Sequence, residues 1–418
     1  MTVAAGMVFF GFTLVMPFLP FYVASLGVDD RREVALWSGF LMTVSPFLAA
    51  ILGPLWGRLA DRVGLRLMVQ RVLFTIALHW GLMFLAGSLW HVLALRIMLG
   101  LFSGFGTMSI ALVTQGCPRE RIGRAVGLLQ ATQILSTALG PFVGGILAEW
   151  IGIRKAFLVT CVLCTLALLF VRLLYRNVPA EQEEDRSVDP IVLAPGPVAE
   201  GARAVVPGRT SVPAASGRPS FRDLLGLPLF LPLLPLLFFI NLVDRSLFLS
   251  VPLLITGILP PGSRAEGVVG MVISAGALAS AASAYLFGHR AARTSPATLL
   301  VWSLAGSAAT LAPIAFCRTI LPLGVLRVLV GAALGGAATL AYTLGGAFIP
   351  ARVRATAYAI LSSVALLGGA FGPILAGLLS TRDPRVPFLA GAALCVGLSL
   401  LAASLARREW VSPAPGVT

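Results

Sequence analysis

The chain consists mainly of long apolar segments separated by short polar ones. About twenty helical residues cross the roughly 30 Å hydrocarbon layer of a bilayer. The apolar runs here are continuous, whereas the strands of a membrane barrel alternate over about ten residues. The pattern therefore predicts an all-α membrane protein with twelve transmembrane helices, called spans 1 to 12. Their apolar runs begin near residues 1, 34, 72, 92, 125, 155, 228, 267, 297, 319, 355 and 387.

Composition supports a membrane protein and gives its orientation. The chain is 58% hydrophobic and 11% charged, whereas about a quarter of a soluble domain is charged. Its net charge of +14 would also suit a nucleic-acid-binding protein. However, twenty basic residues fall on one side of the twelve spans and eight on the other. The positive-inside rule then predicts a plasma (inner) membrane protein with both termini in the cytoplasm, and the basic charge requires no nucleic-acid partner.

One long polar interruption divides the chain. Residues 176–227 are rich in Pro, Gly, Ala and Ser and contain few aromatic residues, so they cannot bury enough apolar surface to fold as a domain. We interpret them as a flexible cytoplasmic linker. It joins a six-helix bundle at residues 1–175 to a second at residues 228–406, and residues 407–418 form a cytoplasmic tail.

The two predicted bundles share a sequence repeat. The pattern R-x-x-x-G-x-x-x-G occurs at Arg96 and again 231 residues later at Arg327. The pair Gly140-Pro141 recurs 232 residues later as Gly372-Pro373. Several matches at one offset indicate an internal duplication. Two parallel six-helix repeats are the layout of one large class of transporters.

The loop between spans 2 and 3 reads "GRLADRVGLR". It resembles G-x-L-a-D-r-x-G-r-r, the loop signature of the major facilitator superfamily. The resemblance implies that its acidic residue joins the two halves on the cytoplasmic side, and we expect Arg352 and Arg354, just before span 11, to be its partners. A loop that merely follows the positive-inside rule is the alternative. The matching positions are Gly57, Leu59, Ala60, Asp61, Arg62, Gly64 and Arg66.

Span 5 resembles a motif associated with drug/proton antiporters of this superfamily. Small residues let a neighbouring helix approach closely, and proline permits a bend, so this helix could seal one side of a pathway. Tight packing without a role in coupling is the alternative. Span 11 repeats the motif at Gly372 and Pro373. The residues in span 5 are Gly127, Ser136, Gly140, Pro141, Gly144 and Gly145.

Four ionisable residues in the spans are candidates for proton coupling, because such residues are costly inside a membrane. They are Asp244 and Arg245 in span 7, Arg96 in span 4 and Arg327 in span 10. Asp244 is the only acid in the middle of a span, and a buried carboxylate there could carry a proton. Alternatively, it only neutralises a buried arginine. The resemblance implies that Arg96 assists proton movement, although span 1 lacks the acid that many of these antiporters carry.

Within the superfamily the resemblance is greatest to the multidrug-resistance subgroup. It implies a monomeric secondary transporter that exports lipophilic drug-like compounds by alternating access, coupled to protons. Uptake or facilitated transport of a specific metabolite is the alternative, and a non-transporting scaffold is a second one. The sequence identifies no substrate-binding residues. It contains no metal-ligand spacing, nucleophile elbow or phosphate loop, so we expect neither an enzyme nor a cofactor or metal site.

Overall fold

The computed structural model describes residues 1–115, 117, 121–174, 230–260, 263–291, 293–349 and 353–411. Every regular element in these ranges is helical. A 3₁₀ turn at Met16–Phe18 separates the first two α-helices. The helices are α1 Thr2–Val15, α2 Leu19–Ser25, α3 Arg31–Val63, α4 Leu65–Leu85, α5 Leu89–Leu101, α6 Phe105–Gln115, α7 Ile122–Ile151, α8 Ile153–Leu174, α9 Phe230–Ile258, α10 Glu266–Arg290, α11 Pro296–Ile314, α12 Ile320–Leu334, α13 Ala337–Phe348, α14 Arg354–Ser380 and α15 Val386–Val411.

The twelve predicted spans are confirmed. Eleven helical segments of the described chain are long and apolar enough to cross a bilayer. The remaining span, span 4, begins with the shorter apolar helix Leu89–Leu101 and continues into α6. Spans 1 and 10 are also built from two helices each, α1 with α2 and α12 with α13. The predicted linker at 176–227 and part of the tail lie outside the described residues, so their interpretation stays a prediction.

Three spans are interrupted near their centres. In span 1 the 3₁₀ turn contains Pro17, which lacks a backbone N–H and cannot continue the hydrogen-bond ladder. Span 4 breaks between Leu101 and Phe105, where Gly104 adopts a φ of 127° that side-chain-bearing residues rarely tolerate. Such breaks change the direction of a helix and expose backbone groups to new partners.

Each half of the chain has its own hydrophobic core. One core is formed almost entirely by residues of spans 1 to 6 and the other by residues of spans 7 to 12. In the first half, span 1 packs on spans 5 and 6, span 3 on span 6, and span 2 on span 4. In the second half, span 7 packs on spans 11 and 12, span 9 on span 12, and span 8 on span 10. The pairs are the same six spans later, so the structure confirms the predicted duplication.

The two bundles meet along two helix pairs. Span 5 of the first half packs on span 8 of the second, and span 2 packs on span 11. These two contacts are also equivalent under the repeat. The boundary between the bundles, called the seam below, is therefore formed by spans 2, 5, 8 and 11, and the motifs predicted in spans 5 and 11 lie on it.

Candidate functional site

One face of the span 5 motif packs on span 1 within the first bundle. A methyl group added at Gly140 would overlap Thr13, and one added at Gly144 would overlap the carbonyl oxygen of Leu14. The hydroxyl of Thr13 donates a hydrogen bond to the carbonyl oxygen of Ser136 at 2.8 Å. The hydroxyl of Ser136 donates in turn to the carbonyl oxygen of Gly6 at 3.2 Å. Small residues and hydroxyl hydrogen bonds therefore hold spans 1 and 5 together.

The other face of the same motif crosses into the second bundle. A Cβ atom at Gly145 would lie 2.6 Å from the carbonyl oxygen of Glu266 and 3.2 Å from the Cα of Gly267 in span 8. A Cβ atom at Gly270 would overlap the carbonyl oxygen of Pro141 and lie 3.2 Å from the Cα of Gly145. Backbone therefore packs on backbone here, and we call this contact the 5–8 crossing.

An equivalent crossing joins spans 2 and 11, and we call it the 2–11 crossing. A Cβ atom at Gly39 would lie 2.6 Å from the carbonyl oxygen of Pro373 and 3.2 Å from the Cα of Gly377. A Cβ atom at Gly377 would lie 2.6 Å from the carbonyl oxygen of Ala35. The hydroxyl oxygen of Thr43 also accepts a hydrogen bond from the backbone N–H of Ile374 at 3.1 Å.

Sequence reasoning found Gly145, Pro141 and Pro373 but missed the glycines that face them across the seam. Gly39 and Gly270 are 231 residues apart, and Gly145 and Gly377 are 232 apart. The offset that revealed the duplication would have found them. Gly372 does not face the seam, because a Cβ atom there would lie 2.6 Å from the carbonyl oxygen of Leu242 in span 7 of the same bundle.

Both crossings lie toward the same end of the molecule. This end, called the outer end, carries the loops that follow spans 1, 5, 7 and 11. Gly145 is close to the end of α7, and Gly39 is close to the start of α3. Toward the opposite, inner end, added Cβ atoms at Gly53, Gly57 and Gly127 would meet nothing within 4 Å. In the described residues, glycine-mediated contact between the halves is thus confined to the outer end.

The loop signature between spans 2 and 3 lies at the inner end. Gly64, with a φ of 94°, ends α3 and begins α4. The Nη2 of Arg66 donates a hydrogen bond to the carbonyl oxygen of Arg172 at 2.9 Å, which ties this turn to the end of span 6. Asp61 lies in α3 and Arg354 begins α14, but the structure does not describe their side chains, and Arg352 lies outside the described residues. The ion pair between the halves remains a prediction.

Arg96 is buried in the first bundle, with 1% of its surface exposed. Its Nη1 and Nη2 atoms both lie 3.4 Å from the sulfur of Met16, at the break in span 1. Its guanidinium also lies 5.8 Å from the ring centre of Trp80. Among the described residues no carboxylate lies within 4 Å of it. A thioether and an aromatic ring therefore occupy the place of the counter-ion that a buried cation normally requires.

The charged residues of the second bundle are arranged differently. The Oδ2 of Asp244 lies 3.9 Å from the Nε of Arg245, and their side chains are 41% and 54% exposed. The expectation that Asp244 is buried is therefore wrong. Arg327 is buried, 3% exposed, and lies close enough for the charge of Asp244 to act on it, although no ion pair forms within 4 Å. The four predicted residues are thus not brought together, since Arg96 lies in the other bundle.

An aromatic group that the sequence did not reveal crosses the seam. The ring of Phe371 in span 11 lies 5.6 Å from that of Phe47 in span 2 and 6.4 Å from that of Phe238 in span 7. All three rings are partly or largely exposed. Phe238 is six residues before Asp244 on α9, which corresponds to about 9 Å along the helix. The group therefore presents apolar surface near the half-exposed acid.

Comparisons with known proteins agree with this architecture. The model of the Major Facilitator Superfamily matches the chain twice, over residues 1–259 and 254–416. The chain belongs to the Major Facilitator Superfamily. Its members are membrane transporters rather than enzymes, and the predicted family is confirmed.

The curated relatives include multidrug resistance proteins. Multidrug resistance protein MdtG of Serratia proteamaculans is 31% identical over 373 residues, which cover 88% of this chain and 83% of the relative. MdtG of Enterobacter lignolyticus is 30% identical over 400 residues, which cover 93% of this chain and 88% of the relative.

Solved structures share the fold. A bacterial homologue of the human lysosomal transporter Spinster, in an inward-facing and occupied conformation, matches with a TM-score of 0.74 at 16% identity, over 99% of this chain and 97% of that chain. The human organic anion transporter MFSD10 (TETRAN) matches with a TM-score of 0.62 at 18% identity, over 96% of this chain and 97% of that chain. At these identities the likeness concerns the fold alone.

Proposed function

We propose that this protein exports lipophilic drug-like compounds across the plasma (inner) membrane in exchange for protons. It works as a monomer by alternating access, with both termini in the cytoplasm. The observation that carries the proposal is the pair of repeat-related glycine crossings, which join two separate bundles at the outer end. In this conformation the substrate would enter from the inner end.

The crossings suit helices that must separate and rejoin. At each one, backbone contacts backbone through glycines, so no interlocked side chains have to be withdrawn when the bundles tilt apart. Export requires that the outer end opens after the inner end closes. The predicted contact of Asp61 with Arg352 and Arg354 would stabilise that second arrangement. The span 5 motif would then act as part of the outer gate as well as in packing.

The substrate class is supported by the aromatic group and by the relatives. Phe47, Phe238 and Phe371 offer partly exposed rings from both bundles, and aromatic surfaces bind varied apolar compounds without fixed hydrogen-bond geometry. The two relatives named above carry the name multidrug resistance protein. We infer that these rings contact the lipophilic part of the substrate while it crosses the seam.

Proton coupling is assigned to Asp244. Its carboxylate is half exposed at mid-span and can therefore exchange a proton with the pathway, while Arg327 lies close enough to respond to its charge. Coupling requires that proton and substrate bind the two conformations unequally. Arg96 has a thioether as its hydrogen-bond acceptor, and span 1 contains no acid. In this proposal the second bundle thus supplies the coupling acid.

The test measures uptake of a fluorescent lipophilic dye by everted vesicles with an imposed pH gradient, acid inside. We expect wild-type uptake to collapse with a protonophore. Asp244→Asn should lose gradient-driven accumulation but keep dye exchange at equal pH. Asp29→Asn, which removes an exposed acid in the outer loop, is the matched control and should behave as wild type. Unchanged gradient-driven uptake by Asp244→Asn would exclude this acid as the proton carrier.

Facilitated transport or uptake of a specific metabolite is the second candidate. It is favoured by the lack of an acid in span 1 and by the absence of a carboxylate within 4 Å of Arg96 in the described part of the chain. The same vesicle assay separates the two functions. A uniporter would move its substrate down its own gradient at a rate that a protonophore does not change.

A further inference from the structure

A carboxylate of the first bundle lies against the second bundle at the outer end. Glu149, in the last turn of α7, is placed so that a Cβ atom at Gly267 would lie 2.5 Å from its Oε2 atom. Only the absence of a side chain at Gly267 lets the carboxylate come this close to the first turn of α10. One helical turn earlier, Gly145 packs on the carbonyl oxygen of Glu266 and fixes α7 in this position.

The first turn of α10 has no capping side chain of its own. Its N-cap residue, Ala265, makes no side-chain hydrogen bond, whereas the side chains of Asp30, Ser88 and Ser295 cap α3, α5 and α11. The first backbone N–H groups of a helix have no acceptor within the helix and carry partial positive charge. An ionised carboxylate beside them is stabilised, and a protonated one is stabilised much less.

Other charged groups at this end do not neutralise Glu149. On the elements packed against α7 they are Glu266 of α10, Arg264 before it, and Arg154 and Lys155 at the start of α8. In the structure as described, no basic side chain lies within 4 Å of the Glu149 carboxylate. The residue 232 positions later is Thr381, so the 2–11 crossing lacks an equivalent acid.

We propose that Glu149 makes closure of the outer end depend on pH. Its ionised carboxylate stabilises the closed arrangement, because it lies against α10 only when the halves are together. The closed state therefore binds a proton less readily than the open state, and lowering the pH shifts the protein toward the open state. The inference needs only that the halves separate at the outer end. It does not require that export is driven by protons.

The experiment measures distances across the outer end by electron paramagnetic resonance of the full chain in nanodiscs. Spin labels are placed at Asp29→Cys and Arg382→Cys in the exposed loops after spans 1 and 11, with the five native cysteines replaced by alanine. The ratio of closed to open populations is measured between pH 7.5 and 4.5, across the upper part of the range in which carboxylates titrate.

We expect the closed-to-open ratio of the Glu149-containing protein to fall about two- to five-fold over this pH range, as for an anion at a helix N-terminus. Glu149→Gln should show that lower ratio at pH 7.5 and no further change on acidification. Glu149→Asp should keep a reduced response. Glu266→Gln and Thr381→Val are the controls and should keep the full response. A full pH response in Glu149→Gln, or a response abolished only by Glu266→Gln, would overturn the proposal.

Discussion

The substitution Gly39→Ala tests the 2–11 crossing with a single methyl group. The new Cβ atom would lie 2.6 Å from the carbonyl oxygen of Pro373 and 3.2 Å from the Cα atoms of Gly377 and Ile374. Ordinary contacts of a carbon atom begin near 3.5 Å, so α3 and α14 would have to separate by about 1 Å. Both obstacles are backbone and cannot rotate away.

The cost follows from known effects of overpacking. Forcing a methylene-sized group into a closely packed site costs about 1–3 kcal/mol. Because the contact exists only when the outer end is closed, this cost falls on the closed state. The ratio of closed to open molecules should therefore drop about 5- to 150-fold. The spin-label pair described above measures this ratio directly, and dye export should slow because the closed state is visited less often.

Gly53→Ala is the matched control. It adds the same methyl group to the same helix, but the added Cβ atom would meet nothing within 4 Å. We expect wild-type distances and transport for this variant. If Gly39→Ala closes the outer end as fully as Gly53→Ala does, the 2–11 crossing does not form the outer gate and the reasoning from glycine contacts is refuted.

Three further variants test separate parts of the structure. Arg96→Leu should leave the thermal unfolding temperature unchanged or raise it, because replacing a buried cation that lacks an acidic partner by an apolar side chain removes its desolvation cost; scanning fluorimetry checks this, and a large drop would contradict it. Ser136→Ala should lower unfolding free energy by about 1 kcal/mol, the value of its hydrogen bond to Gly6, in the same measurement. Deletion of residues 180–220 should leave dye transport intact if the linker is only a tether, whereas lost transport in a correctly inserted protein would show that it has another role.

The spans and the duplication could be predicted because both depend on composition along the chain. Continuous apolar runs are sufficient to recognise membrane helices, and the repeat offset is visible in the Gly-Pro pairs. The glycine motif also predicted close packing correctly. Its division between two partners was not predictable, because the neighbour that each glycine meets depends on how α7 is rotated about its axis. Gly39 was missed for the same reason, since a single glycine has no motif around it.

The candidate site was less predictable than the fold. Depth in a span suggested that Asp244 is buried, but the tilt and packing of α9 leave its side chain 41% exposed. The contact of Arg96 with Met16 was also unforeseen, because a thioether is a weak acceptor and not the expected partner of a guanidinium. It depends on the break in span 1, which positions the sulfur beside span 4.

Cross-linking across the outer end is the most direct test of alternating access. The cysteines introduced at positions 29 and 382 can be joined by a flexible reducible bifunctional thiol reagent, which holds the two bundles together at that end. We predict that the cross-linked protein stops exporting dye in everted vesicles and that cleavage of the reagent restores export. Transport that continues at the uncross-linked rate in fully cross-linked protein would contradict the account.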